Sequence, residues 1–323
     1  MTPRIRLAFV LDRLWDGSKP LTATGVLMTV VLIASIVGIF IDPRIITGMP
    51  AWLKPAKFAI STAIYSFTLA WIFTYLSGWN RVRLVVGWLT AVVFVLEVGI
   101  IDMQAWRGTT SHFNTGTILD ATLFGVMGSA IVIQTLSTVW VAVALWREPF
   151  TNRALGWALR LGMVITIVGA SSGGLMTRPT SAQLARARVT GHLPISGAHT
   201  VGAPDGGAGL PGTGWSLDRG DLRIPHFVGL HALQFLPLVA LVVARATRHE
   251  HRRVRLVVVS AASYVALFAI LMWQALRGQS VFAPDATAML VFGTWLTATA
   301  ASVYAVARLR VPSSASRTTW SLA

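Results

Sequence analysis

The stretch Leu84-Val-Val-Gly-Trp-Leu-Thr-Ala-Val-Val-Phe-Val-Leu-Glu-Val-Gly-Ile-Ile-Asp-Met-Gln104 decides the fold. It is long and apolar enough to cross a bilayer as one helix, since about 20 such residues span the hydrocarbon. Its only charges are Glu97 and Asp102. Charge inside hydrocarbon is costly, so an intramembrane carboxylate marks a candidate functional site.

Seven further segments read the same way: 22–41, 55–76, 118–145, 155–175, 226–244, 255–276 and 286–307. Hydrophobic residues make up 54% of the 323 residues and charged residues 12%, half the share of about 25% usual in a soluble domain. The expected fold is therefore all-α, a polytopic bundle of eight transmembrane helices. It divides into an amphipathic cytoplasmic segment at 1–21, a transmembrane domain at 22–310 and a tail at 311–323. The segment Arg4 to Trp15 reads as a short helix lying on the membrane surface.

The net charge of +15 would point to nucleic acid in a soluble protein. Here the positive-inside rule accounts for it. With the N-terminus in the cytoplasm, inner segments hold 17 of the 27 Lys and Arg and short outer segments hold only 5, namely Arg44, Lys54, Lys57, Arg107 and Arg277. Both termini fall inside, and nucleic acid is not an expected partner. The chain has no cysteine, which excludes disulfides and thiolate metal sites within it. It also lacks the nucleophile-elbow, zinc-protease and Walker signatures of common hydrolases and nucleotide-binding proteins.

On this topology five of the seven histidines and eight of the twelve acids lie towards the outer side. Glu97 sits about 10 Å below Gln104, on the same helix face. The connection Trp106-Arg-Gly-Thr-Thr-Ser-His-Phe-Asn114 packs Arg107, three hydroxyls, His112 and an amide between two spans. Asp120 falls in the first turn of the next helix, where it complements the helix dipole. The 226–244 span opens Ile224-Pro-His-Phe-Val-Gly-Leu-His-Ala-Leu-Gln234; on a continuous helix His226, His231 and Gln234 line one broad face. Lys54 and Lys57 either snorkel to headgroups or bind an anionic group. The 176–225 loop is rich in Gly and Pro and carries His192, His199, Asp205, Trp215, Asp218, Asp221 and Arg223. A loop of this length is either functional or disordered, so it reads as an ordered cap or as a flexible linker.

Imidazole and carboxylate without thiolate suit a transition metal, or haem through axial histidines. The expected metal ligands are His112, Asp120, His226, His231 and Glu97. His112, His226, His231 and Gln234 are the expected cofactor contacts, and Glu97, Arg107 and Asp102 the expected catalytic groups. A quinone or a lipid would reach such a site laterally from the bilayer. Two other classes fit: a proton-coupled transporter working through Glu97, and a non-catalytic assembly or sensor subunit docking a partner through the loop. The inner halves of most spans are plain, which favours an outward pocket over a pore. Oligomeric state is left open.

The segments Lys54-Pro-Ala-Lys-Phe58, Arg107-Gly-Thr-Thr-Ser-His-Phe-Asn114 and His226-Phe-Val-Gly-Leu-His-Ala-Leu-Gln234 resemble a group of bacterial multi-pass inner-membrane proteins without a settled activity. The resemblance implies the membrane setting and no reaction. The spacings do not match the intramembrane hydrolases related to alkaline ceramidase.

Overall fold

The computed structural model describes residues 3–308. The expected tail at 311–323 lies outside them. Seven helices are long and apolar enough to cross a membrane: α2 (Lys19–Ile41), α3 (Leu53–Phe73), α4 (Asn80–Trp106), α5 (Ile118–Arg147), α6 (Arg153–Ser172), α10 (Glu250–Leu276) and α11 (Ala286–Arg308). The eighth expected span is two helices, α8 (Arg223–Leu230) and α9 (Ala232–Ala246), bent by 50° at His231. The chain is a multi-pass helical membrane protein. The short α1 (Pro3–Gly17) packs against α2 and α3 at one end of the bundle, called basal below.

The helices alternate in direction. The two groups α2–α3–α4 and α6–α8–α9–α10 are joined through α5, with α6 at the centre and α11 on the rim beside α10. Leu69, Phe73, Leu76, Val86, Val141, Leu145, Leu159 and Met163 form a sealed apolar core with Leu233. Register down α4 and α5 is fixed at the far end, where Gln104 donates to Asp120 (2.9 Å). In antiparallel helices each seven-residue step down α4 meets a seven-residue step along α5, so Glu97 lies level with Met127 and Thr90 with Gln134.

The other end carries a cap built from three connections. The first is the hairpin β1 (Ile45–Ile46) with β2 (Met49–Pro50). The second is the 107–117 connection. The third, 176–222, is ordered: it contains α7 (Ser181–Thr190) and the ribbon β3 (Thr200–Val201) with β4 (Gly220–Asp221). A capping box joins Thr180 and Gln183, and Gln183 also donates to Gly197 O (2.8 Å). Gly220 is held against α10 so closely that a Cβ there would come within 2.1 Å of Ala275 O. Of the two readings of this loop, the ordered cap is the one observed.

The break at His231 has a local cause. Gly169 of α6 and Gly229 of α8 touch backbone to backbone; a Cβ on Gly169 would lie 2.4 Å from Gly229 C. Thr166 then bridges the interruption, donating to Leu230 O (3.2 Å) and accepting from Leu233 N–H (3.1 Å). A neighbouring hydroxyl thus satisfies backbone groups freed by the break, as broken membrane helices require.

Candidate functional site

The site lies beneath the cap, on the ends of α3 and α4. Glu97 is 3% exposed. Its Oε1 is 3.5 Å from His112 Nε2, while Oε2 is buried with no hydrogen-bond partner among the described residues. His112 comes from the 107–117 connection; its Nδ1 lies 3.1 Å from Ser111 Oγ and its ring 5.4 Å from Phe58. Burial, reinforced by the positive charge of Lys54, pushes the His112 pKa well below its ordinary value, so the ring is neutral at pH 7.

Phe113 adopts φ 63°, an outlier for a bulky side chain. The strain is held by the cap: Ser196 N–H donates to Phe113 O (2.8 Å) and Thr115 N–H to Pro194 O (2.9 Å). Its ring packs against both His112 (6.2 Å between centroids) and His199 (4.8 Å).

His199 is the residue that sequence reasoning left among the loop's polar groups. Its Nδ1 lies 2.8 Å from Asp205 Oδ2. Asp205 also accepts from the backbone N–H of His199 (3.0 Å) and of Thr200 (2.8 Å). Burial lowers the His199 pKa, more than Asp205 raises it. Burial alone would raise that of Asp205, but the bonds from His199 and the backbone hold it well below the usual carboxylate range. The pair is therefore neutral imidazole on carboxylate: Nδ1–H points at Asp205, and Nε2 is left as an acceptor. Nothing in the sequence links positions 112 and 199; only the folded cap does.

The lysines are part of the site. Lys57 Nζ donates to Thr213 O (2.7 Å), tying α3 to the cap. Lys54 lies under the cap, within electrostatic reach of Glu97, Asp205, Lys57 and Arg223. Arg223 is fixed by Asp221, with Nη2 at 2.6 Å from a fully buried carboxylate.

Several expected site residues take other roles. Asp120 does not face the site as a ligand. It accepts from Gln104, from Arg107 Nη1 (2.7 Å) and from its own cap residue Thr117 (2.7 Å). Arg107, expected as a catalytic group, is occupied by that same carboxylate and by Gln104 Oε1. Asp102 is half-buried, and its Oδ1 has no hydrogen-bond partner among the described residues. His226, His231 and Gln234 do not share one face, because the break at His231 separates them. His226 Nδ1 donates to Gly169 O (2.8 Å), His231 packs at a tilt against Phe227 (4.2 Å between centroids), and Gln234 donates to Thr68 (3.2 Å). The expected set of His112, Asp120, His226, His231 and Glu97 is thus not gathered. Among the described residues no three His, Asp or Glu side chains form a group that could hold a metal ion. The residues present do not fit a preassembled metal centre.

What the structure does assemble is two His–carboxylate pairs, His112–Glu97 and His199–Asp205, beside Lys54 in one capped and partly strained site. No known protein family, curated protein or solved structure matches the chain.

Proposed function

We propose that this bacterial inner-membrane protein binds a lipid-soluble molecule with an oxygen-bearing head, a lipid or a quinone, at its outer end and transfers protons to and from that head. The excess of Lys and Arg at the basal end supports an outward-facing cap. The observation that carries the reading is the buried Glu97, one oxygen towards His112 and the other without a partner. A protein keeps such a group at a cost, and proton transfer is the use it serves best. Lys54 offsets negative charge developing on the head oxygen, and neutral His199, oriented by Asp205, is the second proton acceptor. Arg107 and Asp120 support the site by fixing the α4–α5 corner.

This assignment routes no step through a metal or haem. The test is an absorption spectrum and elemental analysis of detergent-purified protein, combined with quinone and phospholipid binding followed by thermal shift. Binding that is lost in Glu97→Gln and His112→Ala, in protein without stoichiometric metal, supports the proposal. A Soret band or stoichiometric iron, copper or zinc replaces it with the metal or haem centre expected from the histidines. Unaltered binding in both variants would move the role to the cap, as a docking surface of an assembly subunit.

Proton-coupled transport is the second reading. It is favoured by the unpartnered polar atoms of Ser66, Thr90 and Gln134 in the bundle interior. It predicts solute uptake into liposomes that depends on Glu97.

A further inference from the structure

Below Glu97 the bundle interior keeps polar atoms with no partner within hydrogen-bond distance among the described residues. Ser66 and Thr90 are fully buried and Gln134 is 6% exposed; Ser66 Oγ, Thr90 Oγ1 and Gln134 Nε2 have no partner, nor does Glu97 Oε2. They come from three helices, at neighbouring levels. The α4–α5 register set by Gln104 and Asp120 brings Thr90 level with Gln134, about 21 Å below that rung and about 10 Å below Glu97. On α3, Tyr65 packs on Phe94 of α4 (5.4 Å) and interacts with Gln134 of α5. Phe73 of α3 lies against Gly87 of α4. These two contacts set α3 antiparallel to α4 and bring Ser66 to the level of Phe94, between Glu97 and Thr90. Beyond that rung the core is apolar at Phe73, Val86, Val141 and Leu145, and the buried Thr138 hydroxyl there is satisfied by Thr135 O (2.6 Å).

Buried polar atoms in native proteins are almost always paired, with water where the protein supplies no partner. Four orphans stacked along one axis, donors and acceptors mixed, meet the requirement of a buried water for several polar contacts. We propose that a chain of water molecules runs inward from Glu97 past Ser66 to the Thr90–Gln134 rung and ends there, against the apolar core. It hydrates the free oxygen of Glu97 and makes a closed half-channel, open to protons from the capped site only. This inference does not depend on which molecule the site binds.

The chain's lack of cysteine gives a clean background for testing it. Single cysteines at Ser66 and Thr90, with Val141→Cys as control, are exposed in detergent-purified protein to silver ion, and the thiols left are then counted after denaturation. A thiolate forms only where water reaches, so S66C and T90C are expected to react several-fold faster than V141C. Equal rates at Thr90 and Val141 would overturn the proposal. A readout without substitution guards against variants that fail to fold. Met127, level with Glu97, and Met163, in the apolar core, are 1% and 0% exposed. Under radiolytic hydroxyl-radical labelling of the native protein, Met127 is expected to oxidise several-fold faster. Equal oxidation would sink the water chain even if no cysteine variant folds. Both readouts report hydration, so they are separable from failure of the proposed substrate binding.

Discussion

Glu97 Oε1 stands 3.5 Å from His112 Nε2, which joins the interior of one membrane helix to the connection that follows it. The contact is longer than a good hydrogen bond, and the second carboxylate oxygen has no partner. The pair is therefore poorly optimised for stability. Burying a carboxylate is costly, and one long contact with water at the free oxygen offsets only part of that cost. Glu97→Leu is expected to keep or raise the melting temperature in detergent while abolishing ligand-induced stabilisation. A loss of several degrees would show that Glu97 is a structural residue.

Asp120 is the opposite case. Gln104, Arg107 and Thr117 all point at its carboxylate. Asp120→Ala strands an arginine and a buried amide together, and a destabilisation of about 2–3 kcal/mol is expected. Arg107→Ala should cost less, because its side chain is 34% exposed and water takes over part of its hydrogen bonding. A double-mutant cycle checks the coupling; additive effects would mean the corner is held by packing alone.

The cap should loosen in acid. His112 and His199 both have folded-state pKa values below the ordinary 6.5. Between the folded and the ordinary values the unfolded chain binds more protons, so stability rises with pH there and is fully present above about 6.5. Each histidine contributes a slope of at most about 1.4 kcal/mol per pH unit as pH falls below that value. Melting temperatures from pH 7.5 to 5 should therefore fall, and His199→Asn should flatten the curve. A profile that does not change in the variant would show that His199 titrates alike in both states.

Close backbone contact makes Gly169 intolerant of any side chain. Gly169→Ala is expected to lower the melting temperature strongly, since the added carbon would sit 2.4 Å from Gly229 C. Gly99→Ala, where nothing lies within 4 Å, should be neutral or slightly stabilising, because alanine is about 1 kcal/mol better in a helix. Thermal unfolding of both variants decides the point; equal effects would mean that α8 shifts away freely.

The spans were legible in the sequence because length and hydropathy set them almost alone. Glu97 and His112 were legible too, as an acid deep in an apolar run and an imidazole in the adjoining connection. The break at His231 was not. It arises from Gly169 meeting Gly229 and from Thr166 taking over the backbone groups, relations across some 60 residues that periodicity cannot register. On an unbroken helix His226 and His231 would have served together. His199 escaped for a related reason: in a loop rich in glycine no face can be assigned, and its partner Asp205 matters only once the backbone has turned back on itself. Asp120 was misjudged because its cap and salt-bridge roles leave no oxygen to spare.

The cap draws on three connections far apart in the chain, and it is closed only when Gly220 seats against Ala275. The half of the site on α3 and α4 is thus synthesised long before its lid. At ribosomal rates of about 5–20 residues per second, the interval between Glu97 and the end of α10 is on the order of 10 s. Over that time a carboxylate and two lysines must be sheltered within the insertion machinery or stay at the aqueous surface. Biogenesis of this protein is therefore expected to be post-insertional for its first helices, with α3 and α4 settling to their final depth only after the second half of the chain arrives.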